Sequence, residues 1–311
     1  MRTSDGTSPS DAADSVPEAV ARRTATSRLR RRDFKRDHLR TALTLRGRGT
    51  DDGTSGPAPQ PRERTATLSS SGRTLAGIRD SITSETRIAA LTGAGISAAS
   101  GVPTFRGGPD SLWENERPKD LATPEAFRRD PEKVWRWYDW RRGVVAGCEP
   151  NAAHLALPRL HEACAGVTII TQNVDGLHQR AGSPEVLEFH GSLWTLRCTA
   201  CGHEERNEDV PLDLLPACPA CSGLLRPGVV WFGEGIDTRI MRASALAATA
   251  CDLFLVIGTS GLVHPAAGMA MMAGKAGAEV VEFNLEQGGV SAWVDLFVAG
   301  SADETVPGLV P

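Results

Sequence analysis

Residues 87–101 read Arg-Ile-Ala-Ala-Leu-Thr-Gly-Ala-Gly-Ile-Ser-Ala-Ala-Ser-Gly, and this stretch decides the fold. Arg87–Leu91 is a short apolar run of the kind that fills a strand covered on both faces. Gly93-Ala94-Gly95 follows at once, and Ile96 opens a helix-forming segment. A glycine turn between strand and helix can carry a pyrophosphate, because the backbone can approach it closely and the helix start offers free N–H groups. The same glycines suit a plain tight turn. The stretch therefore predicts a βα unit and leaves its ligand open.

Outward from it, three more apolar runs read as buried strands: Val167–Thr171, Asp252–Ile257 and Glu279–Phe283. Small or polar residues end three of the four runs, at Thr92–Gly95, Gln172-Asn173 and Gly258-Thr259-Ser260. Helical patterns lie between them, notably Pro131–Val145 and Pro265–Ala276, each opening on a proline that suits a first helical turn. Strands alternating with helices predict an α/β fold, a doubly wound parallel sheet whose ligands bind at the strands' carboxyl ends.

The 311 residues are 41% hydrophobic and 23% charged, ordinary for a globular chain, with a net charge of −4. That balance gives no ground for a membrane or specific nucleic-acid partner, and no run approaches the ~20 apolar residues that span a bilayer. With no apolar signal-peptide core, the expected compartment is the reducing cytoplasm. Residues 1–64 hold 14 Lys+Arg against 9 Asp+Glu, a net of +5, so the remainder carries −9. This Ser-, Arg- and Pro-rich leader, 1–70, is expected to be disordered, because it cannot bury enough apolar surface to offset chain entropy. It reads as a solvated tail, with contact of the Arg22–Arg40 run to nucleic acid or an acidic partner as the less favoured reading. The rest, 71–311, reads as the folded domain, with a small module at about 192–228 inserted in it.

That module is marked by Cys198-Thr-Ala-Cys201 and Cys218-Pro-Ala-Cys221, sixteen residues apart. Two such pairs match a four-thiolate zinc ribbon, and four protein ligands leave no open position for chemistry. One structural Zn2+ is expected. Two candidate general bases stand nearby, His178 in Thr-Gln-Asn-Val-Asp-Gly-Leu-His (171–178) and His190 in Phe-His-Gly (189–191).

Taken together, Gly-Ala-Gly-Ile-Ser (93–97) with Gly-Val-Pro-Thr-Phe-Arg-Gly (101–107), the 171–178 and 189–191 motifs, the cysteine pairs, Phe-Gly-Glu (232–234), Gly-Thr-Ser (258–260) and Phe-Asn-Leu-Glu (283–286) resemble the sirtuin family in order and spacing from about Arg73 to Leu309. The resemblance implies a Rossmann-like domain with an inserted zinc ribbon, and NAD as co-substrate. It places Gly93, Ala94, Gly95, Gly258, Thr259 and Ser260 around the phosphates. Asn284 and Glu286 meet the adenosine ribose, and Phe105 and Arg106 lie over the nicotinamide end. Gln172, Asn173 and Asp175 line the nicotinamide-ribose pocket, and His190 becomes the general base. The implied reaction removes an acyl group from lysine and releases nicotinamide and O-acyl-ADP-ribose. Acylated-lysine proteins or peptides are the implied partners, with Val229–Glu234, including Val230 and Phe232, pairing with them as an added strand.

Tyr138, the one tyrosine of the chain, and Arg141 stand three apart on the same face of the Pro131–Val145 helix. A phenol and a guanidinium together can bind a carboxylate, and this Tyr-x-x-Arg, with Thr104, resembles the desuccinylase branch of that family. An aromatic-rich helix is otherwise an ordinary core element. The expectation is removal of succinyl, also malonyl and acetyl, with a deacetylase-only enzyme or an ADP-ribosyltransferase as alternatives. A nucleic-acid-binding ribbon is disfavoured, because Arg197 and Arg206 face Glu204, Glu205, Glu208, Asp209 and Asp213. A dehydrogenase is disfavoured too, for want of a strand-end carboxylate about 20 residues past the glycine turn.

Overall fold

The computed structural model describes residues 73–104 and 117–311; the 1–70 leader, Phe105 and Arg106 lie outside the described residues. In chain order the described strands are β1 (Arg87–Thr92), β2 (Gly166–Thr171), β3 (Val186–Glu188), β4 (Gly191–Cys198), β5 (Glu204–Arg206), β6 (Leu225–Val229), β7 (Leu253–Ile257), β8 (Glu279–Asn284) and β9 (Leu296–Ala299). Six of them form one sheet in the order β3-β2-β1-β7-β8-β9, and every neighbouring pair is parallel. The order runs backwards from β1 to β3 and forwards from β7 to β9, so the switch point lies between β1 and β7.

Alternation within the buried strands shows why they are apolar throughout. Ile88 and Ala90 of β1, with Leu253, Leu255 and Ile257 of β7, enter one core; Ala89, Leu91, Phe254 and Val256 enter the other. The first core is closed by the helices Leu75–Ser81 and Ala152–Ala163, the second by Thr238–Ala250 and Gly268–Ala276. A strand clothed on both faces needs no polar side, and the four strands expected from sequence are these buried ones. Asp252 falls outside β7 because its carboxylate accepts from the backbone N–H and guanidinium of Arg87. The helix expected from Pro265 begins instead at Gly268. Before it, Gly268 N–H donates to Pro265 O and Met269 N–H to Ala266 O, tighter turns than an α-helix makes.

The remaining strands form an antiparallel sheet, β5-β4-β6. Its apolar face does not close on itself. Leu193, Trp194, Leu196, Leu225 and Trp231 share one core with Leu121, Phe127, Val134, Trp135, Trp137 and Tyr138 from the helices before the sheet, chiefly Pro131–Ala146. Among the described residues, no helix is long and apolar enough to cross a membrane.

Candidate active site

The loops after β1, β2, β7 and β8 meet at the switch point in one hydrogen-bonded set. Gly93 N–H donates to Ile257 O at 3.0 Å and Gly95 N–H to Gly258 O at 2.8 Å. The Gln172 amide donates to Thr259 Oγ1 at 2.9 Å, the Asn173 amide to Gly93 O at 3.0 Å, and the Asn284 amide to Thr259 O at 3.0 Å. A Cβ on Gly95 would lie 2.7 Å from Gly258 Cα, and one on Gly258, at φ +58°, 2.4 Å from Ile96 N. These glycines therefore serve first the contact between the two loops, a role the turn motif alone does not reveal. Ser260 and Glu286 are exposed at the rim, and Thr259 is buried.

The two histidines separate here. His178 is buried, its Nε2 lies 2.9 Å from Thr92 Oγ1, and Thr92 spends its own proton on Thr171. Burial holds the His178 imidazole well below the usual histidine range, with the nearby His154 adding to the effect. His178 is sealed from any substrate and is no general base. His190 is only partly buried, and its Nδ1 lies 3.1 Å from Gln172 O. A carbonyl can only accept, so Nδ1 carries the proton and Nε2 keeps its lone pair. Burial lowers the His190 pKa, and the Gln172 carbonyl opposes that shift without cancelling it. A neutral imidazole with a free Nε2 is what a proton acceptor needs near neutral pH.

Next to His178 lies a hydrogen-bonded relay that includes two residues not singled out from sequence, the ring of one of them, His154, 5.0 Å from that of His178. Ser97 Oγ donates to Asp175 Oδ2 at 2.8 Å, accepts from the Asn173 amide at 3.1 Å, and lies 3.4 Å from His154 Nε2. Burial raises the Asp175 pKa, against the hydrogen bonds from Leu177 N–H and Ser97. Burial also holds His154 down at about 4. Ser97 stands inside the motif that opened the analysis, whereas nothing near His154 in sequence marks it. Glu282, in the middle of buried β8, accepts from Gly288 N–H and Ser291 Oγ, and so shapes the loop after Asn284. Its signal was a carboxylate inside an apolar run.

Tyr138 and Arg141 lie together, the Arg141 guanidinium 5.7 Å from the Tyr138 ring centroid and 4.9 Å from that of Trp137. Val102, Pro103, Trp140, Val144 and Val145 complete the wall around Arg141. Tyr138 Oη accepts from Trp231 Nε1 at 2.9 Å, and burial raises its pKa, so the phenol keeps its proton. Val229–Glu234, expected to be extended, is a strand only as far as Val229. Val230 N–H donates to His190 O and Phe232 N–H to Ala122 O; Trp231 N–H donates to Glu234 Oε2 and Glu234 N–H to Trp231 O, closing a turn with Gly233 at φ +86°. Arg226 fixes that turn: its guanidinium stacks 3.4 Å from the Trp231 ring centroid and pairs with Glu234 at 2.5 and 3.0 Å. Burial pushes the Glu234 carboxyl up, but Arg226 and the Trp231 N–H outweigh it and hold the pKa below its ordinary value.

Cys198, Cys201, Cys218 and Cys221 bring their four sulfurs within 4.8 Å of one another. Ala200 and Cys201 N–H groups point at Cys198 Sγ, and Gly223 N–H at Cys221 Sγ. The N–H groups of Cys201 and Ala200 draw the Cys198 thiol down to about 6. A Cβ on Gly223 would stand 3.2 Å from Cys221 Sγ and 3.3 Å from Cys198 Sγ, so the loop packs tightly against the sulfurs. Four converging thiols with N–H groups aimed at them fit a tetrahedral zinc with no open position.

Residues 93–265 match the Sir2 family. NAD-dependent protein deacylase 2 of Pyrobaculum aerophilum is 49% identical over 237 residues, covering 75% of this chain and 93% of that protein. The NAD-dependent protein deacylase of Aquifex aeolicus is 48% identical over 210 residues, covering 67% of this chain and 87% of its own length. A solved Sir2 homolog–NAD complex is 42% identical, superposes with a TM-score of 0.69, and covers 76% of this chain and 91% of its own.

Proposed function

This chain belongs to the Sir2 family and is an NAD-dependent protein deacylase, and from that premise we propose that it prefers acyl groups ending in a carboxylate, succinyl and malonyl, while also removing acetyl. The observation that carries the preference is the pairing of Tyr138 with Arg141 on one helix, the guanidinium near the tyrosine ring and itself lining the Val102-Pro103 side. A protonated phenol can donate one hydrogen bond to a carboxylate, and a guanidinium can add a charged, two-pronged contact.

NAD would supply an electrophilic ribose carbon for the acyl carbonyl oxygen to attack as nicotinamide leaves, and a ribose hydroxyl oxygen to receive the acyl group. The set tied together by Gly93, Gly95, Gln172, Asn173, Gly258, Thr259 and Asn284 fits it, because those residues line the switch point of a doubly wound sheet. Ala94 and exposed Ser260 border the same loops, Asp175 and Ser97 lie beneath, and Glu286 stands at the adenosine end of the cleft. His190 would accept a ribose hydroxyl proton at Nε2, its ring held by Gln172 O. Val230 and Phe232 would flank the acyl-lysine, and the four cysteines would hold zinc and do no chemistry. Phe105 and Arg106 are proposed for the nicotinamide end from their place in the motif.

The test is a mass-spectrometric assay of matched succinyl-lysine and acetyl-lysine peptides with and without NAD. We expect faster NAD-dependent loss of succinyl, O-acyl-ADP-ribose among the products, and loss of both activities in His190→Ala by ~10²–10⁴-fold. Arg141→Met should reduce desuccinylation far more than deacetylation. Equal loss on both peptides would return Tyr138 and Arg141 to the core; ADP-ribosylated protein without O-acyl-ADP-ribose would point to transferase activity instead.

A further inference from the structure

Arg142 follows Arg141 directly, yet its surroundings are opposite. It is 1% exposed and faces the three-stranded sheet. Its Nη1 donates to Leu193 O at 2.6 Å, and its Nη2 to Asn207 O at 2.8 Å, Asn207 Oδ1 at 2.6 Å and Asp209 O at 3.0 Å. The guanidinium also lies 4.9 Å from the Trp194 ring centroid. One turn earlier Asp139 Oδ1 accepts from Leu212 N–H at 2.8 Å, and two turns earlier Trp135 Nε1 donates to Leu225 O at 2.9 Å. Helix Pro131–Ala146 is thus tied to the module by polar bonds along one side; Tyr138 joins that side through Trp231, and Arg141 lines the Val102-Pro103 side.

Taking a guanidinium out of water is costly unless acceptors meet it, and an apolar side chain fills space without that cost. What a guanidinium adds is direction: it demands acceptors at fixed angles, and here carbonyls from β4 and from the 207–209 loop supply them. The neighbours on the seam extend the effect, because Trp194 Nε1 donates to Asp175 O at 2.6 Å and Trp231 Nε1 donates to Tyr138 Oη.

We propose that Arg142 and Asp139 are positioning residues for acyl-group selectivity, locking the rotation of helix 131–146 so that Tyr138 and Arg141 hold their places against a substrate carboxylate. The inference rests on the proposed role of that pair. Its geometric basis is simple. Side chains reach about 5–6 Å from a helix axis, so a rotation of roughly 20° moves them by about 2 Å. Such a shift breaks a charge-assisted hydrogen bond, which needs about 2.7–2.9 Å. An acetyl group has no carboxylate to lose, so it tolerates the same rotation.

The experiment uses the full-length chain and the matched succinyl- and acetyl-lysine peptides. KM and kcat are measured for both, with peptide Kd by fluorescence anisotropy in the absence of NAD, in Arg142→Lys, Asp139→Ala, Asp139→Asn and Arg141→Met. Arg142→Lys keeps the charge and loses the fork; Asp139→Ala loses the acceptor, and Asp139→Asn restores it. We expect Arg142→Lys and Asp139→Ala to raise succinyl-peptide KM and Kd about tenfold, acetyl values to stay within about twofold, and Asp139→Asn to match the native chain. Equal losses on both peptides, no loss on either, or no rescue by Asp139→Asn would each overturn the positioning role. If Arg141→Met raises the succinyl KM and the two seam variants do not, the carboxylate clamp stands and the positioning role falls. If Arg141→Met leaves it unchanged, the clamp reading itself is wrong and the positioning role goes with it.

Discussion

Every residue of β7, Leu-Phe-Leu-Val-Ile, is buried, while β5 is Glu-Glu-Arg with both ends exposed. The contrast runs through the two sheets. The large one is filled by its own alternating side chains and closed by helices on each face, so its stability comes from apolar area removed from water. The small one borrows its core from helix 131–146, which contributes Trp135, Trp137 and Tyr138, and is pinned at its far end by four thiols. A sheet of three strands, one of them only three residues long, has too little interior to stand alone. The cleft lies where the two meet: His190 stands between β3 and β4 and hydrogen-bonds back to Gln172 at the end of β2.

Removing the metal ligands should break this comparison most sharply. Structural zinc contributes on the order of 10 kcal/mol of folding free energy in small modules, far more than the exposed sheet could replace. We expect Cys218→Ser, or chelation of the native protein, to abolish deacylation. Hydrogen exchange should show protection lost in β4, β6 and helix 131–146 while β1, β7 and β8 keep theirs. Simultaneous loss across both sheets would mean a single cooperative unit, and the distinction drawn above would be wrong.

The reverse cut is Gly258→Ala. The added methyl would meet Ile96 N at 2.4 Å in a left-handed backbone, a combination of strain and overpacking worth about 2–4 kcal/mol. Denaturant unfolding should show that loss while zinc content per chain stays at the native value. A variant that lost zinc but kept its midpoint would reverse the assignment of what holds each region.

These two regions also differ in how far the sequence discloses them. β1, β2, β7 and β8 are legible because burial on both faces leaves a continuous apolar run. The edge strands β3 and β9 are three and four residues long and nowhere fully buried, so no pattern marks them. The thiol pairs announce the ribbon through their spacing, but the core it shares with helix 131–146 is a long-range contact that no local pattern encodes. By residue type alone His178 and His190 are equivalent candidates; the family resemblance points to His190, and the burial of His178 separates them physically. Arg141 and Arg142 are adjacent letters, and only the helix's placement gives them different surroundings, Val102 and Pro103 beside Arg141, β4 and the 207–209 loop against Arg142.

Acid should strain the large region through the relay beneath its cleft. His154 is held down at about 4, whereas an unfolded chain protonates it near its ordinary value of about 6.5. Between those values the unfolded state binds the extra proton, so unfolding free energy rises with pH across that window and is lost as pH falls through it. His178, also held well below its ordinary value by burial, acts in the same direction, while Asp175 and Glu188, whose pKa values burial raises, pull the other way. Comparing the native chain with His154→Gln isolates one contribution from this mixture. At pH 5 His154 should account for about 2 kcal/mol of lost stability relative to pH 7, so the variant's stability should fall less between those two values. Loss of the His154 Nδ1 contact with Asn151 N–H lowers the variant at both pH values alike and leaves the difference readable. Equal pH slopes in the two proteins would mean that protonation of His154 is accommodated in the fold, and that the relay is more open to water than its burial indicates.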